Sequence, residues 1–280
     1  MSGHGGVVLV GGRSSRMGST KATLDWHGST LVRRVAGIIS REVAGPVVLV
    51  RSPGQLLPVL PASFEVLDDL ERDRGPLAGL GVAFNVLYGR CESVYVSSTD
   101  VPFLHPAFVR HVLAGLTPGL DACVPSVRGI RQPLAAAYRV ALAGQVRNLL
   151  DSDRLRVSLL LEACKWRELD DKSLLADPEL AEHDSELNSV TNLNSLQDYE
   201  AAKALAEPLI EVRWVKSDAQ ASRRPAEVRA ATLGRLSEAV GSRLDSLRAV
   251  MLNGLELDPD PEEPLVCGDV VSLEETGATP

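Results

Sequence analysis

Glycines, arginines and a lysine follow an apolar run near the N-terminus, at spacings that suit the binding of a polyanion. The segment reads VVLVGGRSSRMGSTK over residues 7–21. Gly11 and Gly12 have no Cβ and therefore let the backbone approach a ligand closely. Backbone N–H groups, Arg16 and Lys21 can then surround phosphate groups. The segment is neither a P-loop nor a G-x-G-x-x-G dinucleotide motif, so it predicts a triphosphate-binding loop of another type.

Two aspartates follow other apolar runs, and their carboxylates could bind a metal ion or accept hydrogen bonds from a ligand of this loop. Asp100 stands in the motif T-D-V-P directly after the run at residues 94–97. Carboxylate oxygens are good magnesium ligands, so Asp100 is a candidate metal ligand; the alternative is that it caps a helix after Pro102. Asp69 follows the run at residues 64–67. Its carboxylate can accept hydrogen bonds from N1–H and the 2-amino group of guanine together, a donor pair that cytosine and uracil lack.

Predicted strands and helices alternate over the first two thirds of the chain, and they must position these residues. Apolar β-forming runs predict strands at residues 7–10, 47–50, 64–67, 94–97, 122–125 and 132–138. Helical periodicity predicts helices at residues 31–43, 77–88, 105–116 and 196–205. This alternation indicates an α/β fold with a mostly parallel sheet covered on both faces. Ligands bind beyond the carboxyl ends of such strands, where we expect Gly11 and Asp100 to meet.

Three motifs in this part of the chain point to one protein family. The loop has the form L-x-G-G-x-x-x-R-M-G-x-x-K, and G-P-L-A-G follows at residues 75–79 and T-D-V-P at 99–102. Over residues 5–205 the chain resembles nucleotidyltransferases, most closely the molybdenum cofactor guanylyltransferases. The resemblance implies a Rossmann-like nucleotidyltransferase domain that transfers GMP from GTP to molybdenum-bound molybdopterin and releases pyrophosphate. It also implies Mg²⁺ as cofactor, with GTP and molybdopterin as substrates.

The resemblance assigns roles to individual residues. Arg16, Lys21 and Asp100 are implied as catalytic residues, and Asp100 as the metal ligand. The implied nucleotide-binding and substrate-binding residues are Leu9, Val10, Gly11, Gly12, Lys21, Asp69, Gly75, Pro76, Gly79, Asp100, Gln132, Pro133, Asn192 and Asn194.

Some of these positions lie in segments where the chain also departs from the family. Gln132 and Pro133 belong to a segment implied to lie near the acceptor substrate. The amides of the N-L-N motif at residues 192–194 can bind phosphate or assist magnesium ligation. Thr20 stands where the family often has an aspartate, and Val50 stands where a polar residue is usual. Each departure can lower nucleotide affinity or alter the base preference.

The last 70 residues show a different pattern. Strands are predicted at residues 210–215, 227–230, 249–252 and 270–273, with a helix at 232–240 and a turn at 253–254. The segments VMLNG, LELDPDPEEPL and GDVVSL resemble the small sulfur-carrier subunits of molybdopterin synthase. The resemblance implies a small β-grasp (ubiquitin-like) domain at residues 208–280, after a nucleotidyltransferase domain at 1–207. Active carriers end in Gly-Gly whereas this chain ends in TGATP, so we expect a docking or stabilising module.

Composition narrows the classes of partner. The formal net charge of −8 argues against nucleic-acid binding, so an anionic substrate needs a local basic pocket. No segment resembles a membrane span or a signal peptide, and four scattered cysteines are expected to be buried and reduced, which together predict a cytoplasmic protein. The five histidines show no metal-ligand spacing.

Other functions are compatible with the same residues. One alternative is a cytidylyltransferase of the same cofactor, or another nucleotidyltransferase. A second is a non-catalytic scaffold in molybdenum cofactor biosynthesis, suggested by Thr20, Val50 and the missing Gly-Gly. The candidate protein partners are the large subunit of molybdopterin synthase and chaperones specific to molybdoenzymes.

Overall fold

A computed structural model describes residues 3–11, 21–70, 74–215 and 225–275 of the chain. The strands are β1 His4–Leu9, β2 Asp25–Trp26, β3 Ser29–Thr30, β4 Val47–Arg51, β5 Phe64–Asp68, β6 Ser93–Ser98, β7 Ala122–Val127, β8 Ile130–Arg131, β9 Ala135–Arg139, β10 Trp166–Leu169, β11 Leu209–Val215, β12 Ala226–Arg229, β13 Leu247–Leu252, β14 Leu255–Leu257 and β15 Val270–Glu275. The α-helices are α1 Leu31–Ser40, α2 Pro76–Leu87, α3 Pro106–Ala114, α4 Ala143–Asp151, α5 Val157–Glu162, α6 Asp171–Leu174, α7 Pro178–His183, α8 Leu196–Lys203 and α9 Leu233–Val240.

The larger sheet has the strand order β10-β7-β9-β6-β1-β4-β5, with β8 paired to β7 at its side. Strand β1 pairs in parallel with β4 and β6, and β4 pairs in parallel with β5. Strand β9 runs antiparallel to both β6 and β7. The predicted α/β class with a mostly parallel sheet is confirmed.

Helices cover both faces of this sheet because the strands are apolar on both sides. In β1, Val7 and Val8 are fully buried but belong to different hydrophobic clusters. Val8 packs with residues of α1 and α3, whereas Val7 packs with residues of α2, α4 and α5. Burial on both faces leaves the strand ends as the exposed part of the sheet. The carboxyl ends of β1, β4, β5 and β6 therefore form one edge that can accept a ligand.

The structure corrects several predicted boundaries. The first helix ends at Ser40 rather than at residue 43, because a turn at residues 41–42 leads into the Gly45-Pro46 bend before β4. Residues 132–134 form a turn and not the start of a strand: the N–H of Gln132 donates to Pro125 O, and β9 begins only at Ala135.

The second sheet has the order β12-β11-β15-β13-β14. Strand β11 is antiparallel to β12 but parallel to β15, so the chain crosses the sheet between its first and last strands. Helix α9 makes this crossing and packs Leu233 and Leu236 against the sheet. A fifth strand, β14, was not predicted. The predicted turn at Asn253 and Gly254 joins it to β13, and both residues have positive φ angles of 52° and 84°.

Helix α1 and Arg41, which follows it, contact both the larger sheet and the loop before β15. The apolar side of the helix packs on the larger sheet, while Arg33, Arg34 and Arg41 face the loop before β15. Arg33 pairs with Asp260, and Arg41 forms a two-pronged ion pair with the buried Asp269.

The buried side chain of Arg34 is held by backbone carbonyls. Its guanidinium donates to Ala231 O at 3.2 Å and to Leu265 O at 3.3 Å. Burial lowers the Arg34 pKa to about 10, which still leaves the side chain charged at neutral pH. The carbonyls therefore compensate part of the desolvation of this charge.

No helix among the described residues is long and apolar enough to cross a membrane. Cys91 and Cys123 are buried as predicted, but Cys164 is half-buried and Cys267 is exposed, so the expectation of four buried cysteines is wrong for these two. Cys267 lies in the turn before β15, where its neighbour Val266 fills the core instead.

Candidate active site

A cavity of about 580 Å³ opens at the carboxyl edge of the larger sheet. It lies where β1, β4, β5 and β6 end, the edge at which ligands bind in open parallel sheets. The cavity is lined by Leu9, Gly11, Val50, Ser52, Asp69, Gly75, Pro76, Gly79, Ser98, Asp100, Leu134 and Asn192. Eight of these were predicted as site residues from the sequence, so the fold brings together segments that are far apart along the chain.

Lys21 and Asp100 form an ion pair at this cavity. Lys21 begins a short 3₁₀ turn, and its Nζ lies 2.9 Å from Asp100 Oδ2. The two side chains are 22% and 17% exposed, so a ligand in the cavity can reach both. The other carboxylate oxygen, Oδ1, accepts a hydrogen bond from Ser98 Oγ at 2.7 Å. A triphosphate would compete with Asp100 for the ammonium group of Lys21.

Asp100 does not cap the following helix, so that alternative is wrong. Helix α3 is capped by His105, whose Nδ1 accepts from the N–H of Ala107. The backbone of Asp100 is fixed from another side, because its carbonyl accepts from the N–H of Leu193 at 2.8 Å. The carboxylate is therefore left to line the cavity.

Only one asparagine of the N-L-N motif lines the cavity. Asn192 donates through Nδ2 to Val190 O, which turns its Oδ1 toward Ser98 Oγ at 3.5 Å. The backbone N–H of Asn194 instead donates to Asp198 at the start of α8. Asn194 is therefore tied to the cap of that helix and does not line the cavity.

The G-P-L-A-G motif shapes the part of the cavity beside β5. Gly75 has a φ of 83° and precedes α2, and Pro76 is the first helical residue, where its missing N–H costs nothing. A Cβ on Gly79 would lie 3.0 Å from Leu9 Cδ2 and 3.9 Å from Asp69 Oδ2. The glycine thus lets α2 approach β1 while Asp69 stays at the cavity wall.

Asp69 itself is anchored by its backbone. Its N–H donates to Arg51 O at 2.8 Å, which continues the pairing of β4 and β5 by one residue. Its Oδ1 accepts from the N–H of Leu70. These contacts hold the carboxylate at the strand end.

A side chain at Gly11 would crowd Ser52. A Cβ there would lie 2.8 Å from Ser52 Oγ and 3.3 Å from Ser52 N.

Val10, by contrast, buries its side chain in the core and does not line the cavity. Its carbonyl accepts from Gln55 Nε2 at 3.3 Å, a contact that the sequence did not suggest.

The remaining predicted residues fall in two groups. Gln132 and Pro133 do not line the cavity, because their turn places the next residue, Leu134, at the wall instead. Gly12 and Arg16 lie outside the described residues, so their predicted roles stay predictions.

Several residues at the cavity belong to no motif. Ser52, Ser98 and Leu134 line the cavity without having been named, and Val50 was named only as a departure from the family. A usable signal existed for the serines, because both lie at the carboxyl ends of parallel strands that had been predicted.

The oxygen atoms at one side of the cavity suit a magnesium ion. A carboxylate, a hydroxyl and an amide oxygen come together from Asp100, Ser98 and Asn192. Mg²⁺ commonly takes one or two carboxylates and completes its shell with substrate phosphates and water. Within the part of the chain that the structure describes, no group of three or more His, Cys, Asp or Glu could hold a metal. The donors therefore fit an ion shared with a bound phosphate.

Comparison with other proteins places the chain in a family. A family model described as "MobA-like NTP transferase domain" matches residues 6–165. A "Probable molybdenum cofactor guanylyltransferase" from Pelotomaculum thermopropionicum is 30% identical over 205 residues, which cover 72% of this chain and 93% of that protein. A protein of the same description from Bacillus cereus is 29% identical over 170 residues, covering 59% and 82%.

Solved structures share the fold. The "Molybdopterin-guanine dinucleotide biosynthesis protein A" from Archaeoglobus fulgidus superposes with a TM-score of 0.57 at 24% identity, covering 71% of this chain and 96% of that one. A 4-diphosphocytidyl-2C-methyl-D-erythritol synthase from Anaerococcus prevotii gives a TM-score of 0.52 at 11% identity, covering 72% and 94%. The fold is therefore shared by proteins named for different nucleotides. On the sequence matches, the chain belongs to the MobA-like NTP transferase family.

Proposed function

We propose that this protein transfers GMP from GTP to molybdenum-bound molybdopterin, forming the guanine dinucleotide cofactor and pyrophosphate. The names of its relatives support this reaction. The observation that carries it is a single cavity lined by Asp69, after β5, and by Asp100, after β6, whose carboxylate pairs with Lys21. Strands β1 and β4 lie between, so the ends of β5 and β6 stand about 14 Å apart at three strand spacings. That span suits a nucleotide lying across the edge, with its base at Asp69.

The reaction needs alignment and charge neutralisation more than covalent help. A phosphate oxygen of molybdopterin attacks the α-phosphorus of GTP, the new O–P bond forms, and the bond to the β-phosphate bridging oxygen breaks. Lys21 donates to phosphate oxygens and stabilises the charge that develops there, and Arg16 is proposed to act in the same way. Mg²⁺ held by Asp100 would neutralise further phosphate charge when bound.

Base selection is proposed to depend on Asp69. Its carboxylate can accept two hydrogen bonds from guanine but finds no such donor pair on cytosine. The fold alone does not choose the base, because a protein named as a 4-diphosphocytidyl-2C-methyl-D-erythritol synthase shares it. A cytidylyltransferase, or another nucleotidyltransferase, is therefore the alternative within the same reaction class.

Calorimetry separates an enzyme from a non-catalytic scaffold. We expect Mg²⁺-dependent binding of GTP to the full chain, weakened in Asp100→Ala. Ser40→Ala is a matched control, because this hydroxyl bonds only within α1, to Gly37 O, and lies outside the cavity. Absence of GTP binding by the wild type would favour the scaffold.

The region after residue 207 is proposed to be a β-grasp domain, with residues 1–207 as the transferase domain. A mixed five-stranded sheet whose first and last strands are parallel, crossed by α9, supports this assignment. The ion pairs of Arg33 and Arg41 support a docked, stabilising module.

The wider cellular role belongs to the same proposal. The expected protein partners are the large subunit of molybdopterin synthase and molybdoenzyme-specific chaperones. We place the reaction in the cytoplasm, where the thiols of the scattered cysteines would stay reduced. Pull-down of the full chain with each candidate partner tests the association.

A further inference from the structure

Ser98 has a contact that the proposed transfer chemistry does not yet use. It is the last residue of β6, and its half-buried side chain lines the cavity. Its Oγ donates to Asp100 Oδ1 at 2.7 Å, while Lys21 occupies Oδ2 at 2.9 Å. In the free protein, each oxygen of this carboxylate therefore has its own partner.

The two partners differ in how firmly they are held. Ser98 belongs to a strand that pairs with β1 on one side and β9 on the other. The backbone that carries its short side chain is therefore held in place. Lys21 carries its ammonium on a long flexible side chain that can move to a phosphate. When it does, Ser98 remains as the hydrogen-bond partner of the carboxylate among the described contacts.

An aspartate needs such a partner, because rotation about its terminal side-chain bond is only weakly restrained. The backbone of Asp100 is fixed by Leu193, but this contact does not set the plane of the carboxylate. The single proton of Ser98 has a second acceptor nearby, Asn192 Oδ1, at a longer 3.5 Å. The shorter contact assigns the proton to Asp100.

We propose that Ser98 is a positioning residue that holds Asp100 Oδ1 and so aims Oδ2 at the metal-bound triphosphate. Lys21 is paired with Asp100 Oδ2 in the free protein, and it moves from this oxygen to a phosphate when the nucleotide binds. This inference rests on the proposed function, in which Asp100 is the metal ligand.

Binding of Mn²⁺ tests the inference without turnover. Electron paramagnetic resonance can measure the Mn²⁺ affinity of the full chain saturated with a GTP analogue that has a methylene between its α- and β-phosphates. We expect Ser98→Ala to weaken Mn²⁺ binding by about 10-fold, as loss of a group that orients a metal ligand typically does. Ser98→Thr keeps the hydroxyl and should restore most of the affinity. Ser40→Ala should match the wild type.

A double-mutant comparison separates positioning from direct ligation. In an Asp100→Asn background, Ser98→Ala should cause little further loss, because the residue acts through the carboxylate. An equal loss in both backgrounds, or no loss in Ser98→Ala alone, would overturn the proposal. If the wild type itself bound no Mn²⁺ with the analogue, both this inference and the magnesium part of the proposed function would be wrong. Failure of GMP transfer with normal Mn²⁺ behaviour would contradict only the proposed reaction.

Discussion

At the scale of single residues, Lys21 is the cation whose loss should be felt most in the chemical step. Its Nζ lies 2.9 Å from Oδ2 of Asp100, a residue that lines the cavity, and its long side chain can turn toward a phosphate. We expect Lys21→Ala to lower kcat by about 100-fold or more, because one preorganised donor to the developing charge is removed. Lys21→Arg should recover only part of the rate, because the broad planar guanidinium of arginine does not place its charge where the compact ammonium of lysine does. Initial rates of pyrophosphate release measure both, and an unchanged kcat in Lys21→Ala would rule out this role.

Gly11 offers a steric test of the loop. In Gly11→Ala, the new methyl group would meet Ser52 Oγ at 2.8 Å and backbone atoms beyond it, so the cavity wall must shift. We expect nucleotide affinity to fall clearly in a calorimetric titration. Gly144→Ala is the control, because a Cβ there meets nothing within 4 Å and the residue is exposed in α4. Equal GTP affinity in both variants would show that the close approach of Gly11 to Ser52 is dispensable.

At the scale of elements, the contact between α1 and the loop before β15 should contribute strongly to stability. Asp269 is buried and accepts from Arg41, from Asn253 and from the N–H of Val266. Asp269→Ala removes the shared acceptor of these donors and the charge partner of Arg41, so we expect the free energy of unfolding to fall by about 3–5 kcal/mol. Urea denaturation of the full chain measures the change.

An exposed ion pair in the same region supplies the comparison. Asp245 pairs with Arg243 at the surface, so Asp245→Ala should leave the unfolding midpoint nearly unchanged. A similar small effect in Asp269→Ala would mean that the buried pair does not hold the second sheet against α1.

The elements also show what a sequence can and cannot predict. The four parallel strands that end at the cavity were predicted to within one or a few residues, because continuous apolar runs buried on both faces leave a strong signal. Short, half-exposed elements such as α5 and β10 lack that signal and were missed. The burial of Arg34 was equally invisible, because it depends on carbonyls supplied by residues about 200 positions away.

In the candidate site, too, some residues could be placed from the sequence and others could not. Motif residues such as Asp69 and Asp100 could be placed at the sheet edge, since strand ends converge there. Ser98 could have been placed at the cavity by its position at a strand end, but its hydrogen bond to Asp100, two residues away, is marked by no motif. Gln132 and Asn194 were assigned to the site by their motifs, but local hydrogen bonds turn each segment so that only Leu134 and Asn192 line the cavity.

At the scale of the whole molecule, His105 joins the start of α3 to the turn before β15, and protonation of its ring would remove the acceptor that caps α3. Its Nε2 donates to Cys267 O at 3.0 Å, while Nδ1 accepts from the N–H of Ala107. Burial lowers the pKa of His105, helped by His183, although the Cys267 carbonyl and the nearby Asp184 and Asp269 oppose the shift. The folded protein thus holds this ring neutral.

The sign of the pH effect follows from this lowered pKa. The unfolded chain takes up a proton near the ordinary histidine pKa of about 6.5, before the folded protein does. The contribution of His105 to stability is therefore complete above that pH and is lost as the pH falls below it. We expect stability to decline more steeply between pH 7.5 and 5.5 in the wild type than in His105→Asn, which keeps a capping acceptor but does not titrate. Parallel slopes in urea denaturation would contradict this assignment.

The central claim, guanine-specific nucleotidyl transfer, is tested most directly by a nucleotide panel with molybdenum-bound molybdopterin as acceptor. Pyrophosphate release by the purified full chain should depend on Mg²⁺ and on the acceptor, and should be fast with GTP and slow with CTP, ATP and UTP. Asp69→Asn should reduce the preference for GTP, because an amide cannot accept both guanine donors. Turnover with CTP but not with GTP would contradict the guanylyl assignment, and no turnover with any nucleotide would contradict catalysis itself.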